Sequence, residues 1–319
     1  MANAAVKKQK RSSIKKAGRK KNLLLLSMVA PGAIWLLLLR YLPIPGLIIA
    51  FQNYKLGQKS LVQNILHSPF VGLDNFKFMF TTSDTWVFVR NTIGYNVIFI
   101  LLGLVLSVTF AIMLNEITSK FAAKSYQTMM FFPYFMSWVV ASYFLNAFLD
   151  PTRGLIPELQ KSMGWAVTDF YNDCKPWPFL LILCNVWKQT GYSTILYLAA
   201  ITGIDASQYE AAEIDGATKW QQIKYVTIPH LKTMIIILFI MNVGKIFNSD
   251  FGLFFTVPNQ SGALIPVTQT IDTYVYRGMM SMSYGMTTAA GFVQNLVGFI
   301  CIMIANTIVR KVEPDSALF

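Results

Sequence analysis

A helix needs about 20 consecutive apolar residues to cross the hydrocarbon layer of a bilayer, and the chain carries about six such runs. They cover Leu23 to Phe51, Asn91 to Leu114, Thr128 to Leu149, Phe179 to Thr202, Leu231 to Val257 and Thr287 to Val309. Backbone N–H and C=O groups in hydrocarbon must be satisfied within the protein, so the runs predict helices. The expected fold class is all-α, a polytopic membrane protein with six transmembrane helices. Composition agrees: of 319 residues 54% are hydrophobic and 13% charged, a balance that no soluble domain of this size requires. Pro31, Pro43 and Pro45 interrupt the first run and predict a kinked or re-entrant outer part. Residues 52–85 form an outside loop with a small folded element around Phe70 to Phe80, and residues 150–178 form a second outside loop.

The formal net charge is +12, from 27 Lys and Arg against 15 Asp and Glu. Its placement excludes a nucleic-acid reading, because Lys7, Lys8, Lys10, Arg11, Lys15, Lys16, Arg19, Lys20 and Lys21 all precede the first apolar run. Such a flank stays on the cytoplasmic side and meets anionic membrane lipids. Residues 1–22 therefore read as a basic cytoplasmic tail, 23–311 as the membrane domain and 312–319 as a second cytoplasmic tail, in a multi-pass protein of the plasma membrane. The first run is too long for a signal peptide, and no small-residue cleavage site follows it. Cys174, Cys184 and Cys301 lack metal-ligand or disulfide spacing and read as buried thiols, and His67 and His230 are too far apart for a metal site.

One polar stretch stands between two apolar runs: EAAEIDGATKWQQIKYVTIP, Glu210 to Pro229. Gly203 ends the run before it. Asp205 with Gln208 has the form of an N-cap and capping box, which predicts a short helix from Ala206. Tyr209, Ala212, Glu213, Gly216, Trp220 and Ile223 then recur at helical spacing. Ala211, Ala212 and Gly216 keep one face thin enough for a partner surface to come close, and Gly216 permits a bend between two short helices. Pro229 is expected to close the second helix before the next span. An amphipathic loop resting on the membrane is the plainer reading, but surface anchoring does not call for small residues at those positions.

The spacing E-A-A, three residues, Gly216, nine residues, Val226, one residue, Ile228 and Pro229 resembles the EAA loop, by which the membrane subunits of type I ABC importers engage their ATPase subunits. Val226 and Ile228 stand where Ile and Leu are commoner. Other stretches are similar to the carbohydrate-uptake, maltose-permease-like branch, and to its subgroup that imports polysaccharide breakdown products in Gram-positive bacteria. They are PGAIWLLLLRYLPIPGLIIAFQNYKLG from Pro31, FVGLDNF from Phe70, FFPYFMSWVV from Phe131 and DTYVYR from Asp272. The resemblance implies a type I importer transmembrane domain, with both termini and loop 205–229 cytoplasmic. Within that loop it assigns ATPase coupling to Glu210, Ala211, Ala212, Asp215, Gly216 and Pro229. Its implied partners are a second homologous permease, two ATPase subunits and an extracellular solute-binding lipoprotein, with an oligosaccharide as cargo. The chain has no G-x-x-x-x-G-K-S/T phosphate loop. The resemblance accordingly places ATP and Mg on the ATPase subunits, with no cofactor and no catalytic residue in this chain.

A sugar pathway needs hydrogen-bonding groups at membrane depth. Asn185, Lys188, Gln189 and Tyr192 offer them in the fourth run and Asn242, Lys245 and Asn248 in the fifth, with Asp250 beside them and Gln294 and Asn295 as weaker candidates in the sixth. A lysine at a helix centre costs about 2.5–3.5 kcal/mol on insertion scales, so Lys188 and Lys245 should face protein or a water-filled cavity. Trp187, Lys188 and Gly191 resemble a W-K/R-x-x-G run common to permeases of differing cargo, which favours a structural role for Lys188. Alternatively Lys188, Lys245 and Asp250 pair with one another or with the second permease and touch no cargo. With Asp250 the only carboxylate close by, one lysine needs an acidic partner, on the second permease or on the cargo itself. The competing class is a secondary transporter or channel for a small polar solute. It would call for discontinuous helices with coupling carboxylates in several spans, whereas only the first run is visibly interrupted. A membrane enzyme would need a clustered catalytic set of His, Cys, Asp or Ser, which the sequence lacks.

Overall fold

The computed structural model describes Asn22 and residues 25–55, 57, 60–81, 83–281 and 283–314. The cations of the basic tail and residues 315–319 lie outside the described residues. Among the described residues the protein is helical and has no strand, only a bridge between Gln52 and Phe70. In chain order the helices are α1 (Leu25–Phe51), α2 (Leu61–His67), α3 (Asp74–Thr81), α4 (Ser83–Asn115), α5 (Lys120–Phe135), α6 (Trp138–Leu149) and α7 (Leu155–Ser162). They continue as α8 (Trp177–Thr202), α9 (Ala206–Ile214), α10 (Lys219–Gln222), α11 (Ile228–Val243), α12 (Ile265–Thr268), α13 (Ile271–Met280) and α14 (Tyr284–Val312).

Four helical segments are long and apolar enough to cross a membrane: Leu25–Phe51, Asp84–Asn115, Lys219–Val243 and Tyr284–Lys311. The pair α5 and α6, bent by 99°, makes a fifth. Helix α8 is 26 residues long and would reach across, but Asn185, Lys188, Gln189 and their polar neighbours dilute its apolarity. The expected six spans therefore become four or five on length and apolarity. Helix α8 packs against α4 and α5 and buries Lys188, Thr190, Gly191 and Thr194 along with Trp177, Leu181 and Ile201, while Phe179, Leu183 and Trp187 on its other side are exposed.

Three runs depart from a plain helix. The first passes into a π turn at Leu37–Tyr41 and a 3-10 helix at Ile44–Phe51, where Pro43 and Pro45 stand, in keeping with the expected irregular outer part. The third, expected to be continuous over Thr128 to Leu149, breaks after Phe135. Pro133 lacks an N–H for the helical ladder, and Ser137 caps α6 by accepting from the Val140 N–H at 3.2 Å. The fifth, expected over Leu231 to Val257, ends its helix at Val243, unwinds over residues 244–250 and closes with a π turn at Gly252–Thr256. Side chains of other helices satisfy the freed backbone. Asn96 of α4 donates to the carbonyls of Ile246 and Asn248, both at 2.9 Å, and Gln294 of α14 donates to that of Phe247 at 2.9 Å. Asp272 of α13 accepts from the Ser249 N–H at 2.6 Å. Irregular backbone within a membrane domain is tolerated where protein or a cavity surrounds it.

Pro229 does not close a helix. It stands in the first turn of α11, and α10 runs through a π turn at Ile223–Thr227 into α11 as one segment, Lys219–Val243. The first turn tolerates a residue without an N–H, and the wide π turn before it makes room for the ring. The three cysteines are free and half-buried rather than buried. Two apolar clusters hold the bundle. One joins Tyr95, Trp177, Leu181, Leu253, Phe254, Val257 and Leu264; the other joins Ala111, Leu114, Tyr197, Leu198, Ile201 and Leu231 next to α9.

Candidate functional site

The loop that follows α8 folds into two short helices joined at a sharp corner. Asp205 caps α9 by accepting from the Ser207 N–H at 2.9 Å, while Gln208 gives only a backbone bond to the Asp205 carbonyl, so the expected capping box is absent there. A full capping box instead opens α10, between Thr218 and Gln221. At the corner, the Ala217 N–H donates to the Ala212 carbonyl at 2.9 Å and the Gly216 N–H to the Glu213 carbonyl at 3.0 Å. This paired pattern is a Schellman motif, which places the left-handed residue four positions after the third-last helical residue. Gly216 has φ +75°. The separation of Ala212 from Gly216 is thus set by the hydrogen bonding of the corner.

Across the corner, Lys219 donates to Glu213 at 3.2 Å and Gln222 donates to the same oxygen at 3.4 Å. Lys219 first, then Gln222, holds the Glu213 carboxyl below the ordinary carboxylate range. The Ser207 backbone N–H, then its side chain, does the same for Asp205. Tyr209 bonds Thr227 at 2.9 Å and so ties α9 to the π turn at the foot of α11. Of the six loop residues singled out by the resemblance, Glu210, Ala211, Asp215, Gly216 and Pro229 are exposed and Ala212 is half-buried. Beside them Ile214 and Trp220 are 86% and 79% exposed. Large apolar side chains that none of the described residues covers mark a contact surface.

Between the two apolar clusters lies a cavity of about 620 Å³, a volume within the range of roughly 300–1,000 Å³ usual for small-molecule sites. Six of the seven pathway candidates line it: Asn185, Gln189, Tyr192, Asn242, Lys245 and Asn248. On α8 the spacing of Asn185, Gln189, Tyr192 and Leu196 keeps one helical face toward the cavity. The fifth run contributes through its unwinding, which turns Lys245, Asn248, Ser249 and Asp250 to the same space. Sequence reasoning missed Asn96 and Tyr134, which also line it; the signal for Asn96 was an amide inside the otherwise apolar second run. Tyr134 stacks on Tyr192 with ring centroids 4.6 Å apart. Gln294 serves the unwound segment, and Asn295 bonds back to the Gly291 carbonyl of its own helix.

Lys188 does not line the cavity. It lies on the flank of α8, is 7% exposed, and donates to the carbonyls of Pro133 (3.3 Å) and Tyr134 (2.8 Å) at the end of α5 and of Met136, its C-cap. An ammonium with three donors suits the orphan carbonyls and negative pole of a helix end. The Trp138 ring stands 5.3 Å from Lys188 Nζ, and its indole N–H donates to Asp250 at 2.7 Å. One indole thereby links the break in the third run to the break in the fifth.

Residues 99–314 match the family model described as binding-protein-dependent transport system inner membrane component. The chain is 34% identical over 292 residues to the polygalacturonan/rhamnogalacturonan transport system permease protein YteP of Bacillus subtilis (strain 168), covering 91% of this chain and 88% of that one. In three dimensions it resembles a chain of a bacterial ABC transporter involved in the import of the acidic polysaccharide alginate. That likeness has a TM-score of 0.82 at 29% identity and covers 92% of this chain and 97% of that one. A similar match, with a TM-score of 0.81 at 29% identity over 92% and 96% of the two chains, is to the alginate transporter in complex with an alginate pentasaccharide-bound periplasmic protein. The chain therefore belongs to the binding-protein-dependent transport system inner membrane components, as a multi-pass permease subunit of an ABC importer with the type I transmembrane fold, and is a transport subunit rather than an enzyme.

Proposed function

We propose that this chain forms one wall of the translocation pathway for an oligosaccharide and carries the motion of an ATPase to it. The observation that supports this is continuity. Helix α8 lines the cavity and leads through Gly203 into α9, while α10 runs without a break into α11, whose end lines the cavity from the other side. A push on the corner at Gly216 is delivered to both walls as a rigid-body movement. Glu210, Ala211, Ala212, Asp215 and Gly216 would receive an ATPase subunit, with Ile214 and Trp220 supplying apolar contact, and Pro229 would set the start of α11.

In this reading the pathway residues are Asn96, Asn185, Gln189, Tyr192, Asn242, Lys245 and Asn248, whose amides, hydroxyl and ammonium can replace water around sugar hydroxyls. Lys188 serves as a positioning residue. A second homologous permease completes the pathway, two ATPase subunits bind ATP and Mg, and an extracellular binding lipoprotein delivers the cargo. Both termini face the cytoplasm of a Gram-positive cell. The sugar cargo is supported by the names of the relatives, the cavity's polar lining and the loop's exposed face.

Reconstitution of the full complex tests this. Asn185→Leu and Asn242→Leu should each lower oligosaccharide uptake while the subunits stay assembled, because each removes partners from a desolvated hydroxyl. Dissociated subunits with unchanged transport per intact complex would show that these residues tie helices together instead.

A further inference from the structure

Sugar hydroxyls are served by amides and hydroxyls, and the cavity has them in Asn185, Gln189, Tyr192 and Asn242. A fixed charge is not needed for a neutral cargo, yet Lys245 lines the same cavity. The acidic groups around it are already engaged. Asp250 accepts from Trp138 and from the N–H groups of Gly252 (3.0 Å) and Leu253 (3.4 Å). Asp272 accepts from Ser249 and Gln294. Lys188, the other cation at this depth, is satisfied by the carbonyls of α5. Lys245 forms no ion pair and donates no hydrogen bond from its ammonium among the described residues. Gly244 before it packs on Ile302 of α14, where an added Cβ would stand 2.9 Å from the Ile302 Cδ1. The Asp250 carboxylate lines the same cavity but has both oxygens taken, so the Lys245 ammonium is the charged group there with donors to offer a cargo carboxylate.

We infer that Lys245 is the cavity's carboxylate-binding residue and selects acidic oligosaccharides over neutral ones. This rests on the cavity being the sugar pathway and adds the charge of the cargo and the residue that reads it. The same ammonium could be met by a carboxylate of the second permease, and the experiment separates the two sources.

The complete complex of both permeases and ATPase subunits, in detergent, is titrated with trigalacturonate and with its fully methyl-esterified, neutral form. The wild type should bind the acid roughly tenfold or more tightly than the ester, a preference that falls with added salt. Lys245→Gln should lower acid affinity to the level of the ester and so abolish the preference, and Lys245→Arg should retain it. Equal binding of the two probes by the wild type would overturn the inference while leaving the sugar pathway standing. A Lys245→Gln complex that loses both probes alike and sheds its second permease would also overturn it, placing the carboxylate on that subunit. Binding of neither probe by an intact wild-type complex would overturn both readings.

Discussion

Gly216 can be required for two different reasons, and the structure separates them. Its φ of +75° lies in the left-handed region, and a Cβ built there would meet nothing within 4 Å. Within the chain, then, the cost of a side chain is conformational and not steric. An L-residue in that region costs about 1–2 kcal/mol, which shifts the balance between the formed and the frayed corner by about 5- to 30-fold. Asparagine tolerates the left-handed region better than alanine although it is larger. Hydrogen exchange at the Ala217 amide, whose bond to the Ala212 carbonyl closes the corner, reads the effect directly. Exchange should quicken by about 5- to 30-fold in Gly216→Ala and by less in Gly216→Asn. ATP-driven uptake by the reconstituted complex should follow the same order, with ATP hydrolysis retained as transport is lost. An alanine variant that transports normally beside a blocked asparagine variant would refute the argument. Glycine would then be kept for the close approach of a partner and not for the turn.

Lys188→Met should destabilise the protein by about 1–3 kcal/mol, because it strips the ammonium from the Tyr134 and Met136 carbonyls, while that of Pro133 keeps the Met136 N–H. Uptake of neutral and acidic sugars should fall together; loss of acidic cargo alone would place this lysine in the pathway. Gly191→Ala should cost about 1–3 kcal/mol by overpacking, since the added Cβ overlaps the Met130 carbonyl where α8 meets α5, whereas Gly94→Ala, with open space around it, should be neutral or stabilising in a thermal melt. The Glu213 carboxyl is held below its ordinary range by Lys219 and Gln222. Its contribution to the corner is therefore complete above the unfolded value, about 4.3, and is lost as pH falls through the lower folded value. Amide protection of the loop should decline in that acid window, and Glu213→Gln should remove this part of the pH dependence.

The apolar runs alone require a helical membrane protein, because a continuous run of about 20 apolar residues fits a spanning helix and is too long for a spanning strand. The corner at Gly216 was legible in the spacing of Glu210 to Gly216, because a Schellman corner is local and its residues are neighbours in sequence. The cavity face of α8 was legible for the same reason, since Asn185, Gln189 and Tyr192 repeat with the helix. Where the third and fifth runs break was not legible. A break depends on who satisfies the released backbone, and those partners lie far along the chain: Asn96 and Gln294 for the fifth run, Lys188 for the third. Pro229 misled for a related reason, since a proline stops a helix in isolation but fits a first turn that follows a π turn. Both lysines stand in apolar runs, and the W-K/R-x-x-G resemblance favoured a structural role for Lys188 without naming its partner. Only packing assigned Lys188 to the carbonyls of α5 and left Lys245 facing the cavity, because the direction of a side chain is set by the helix beside it.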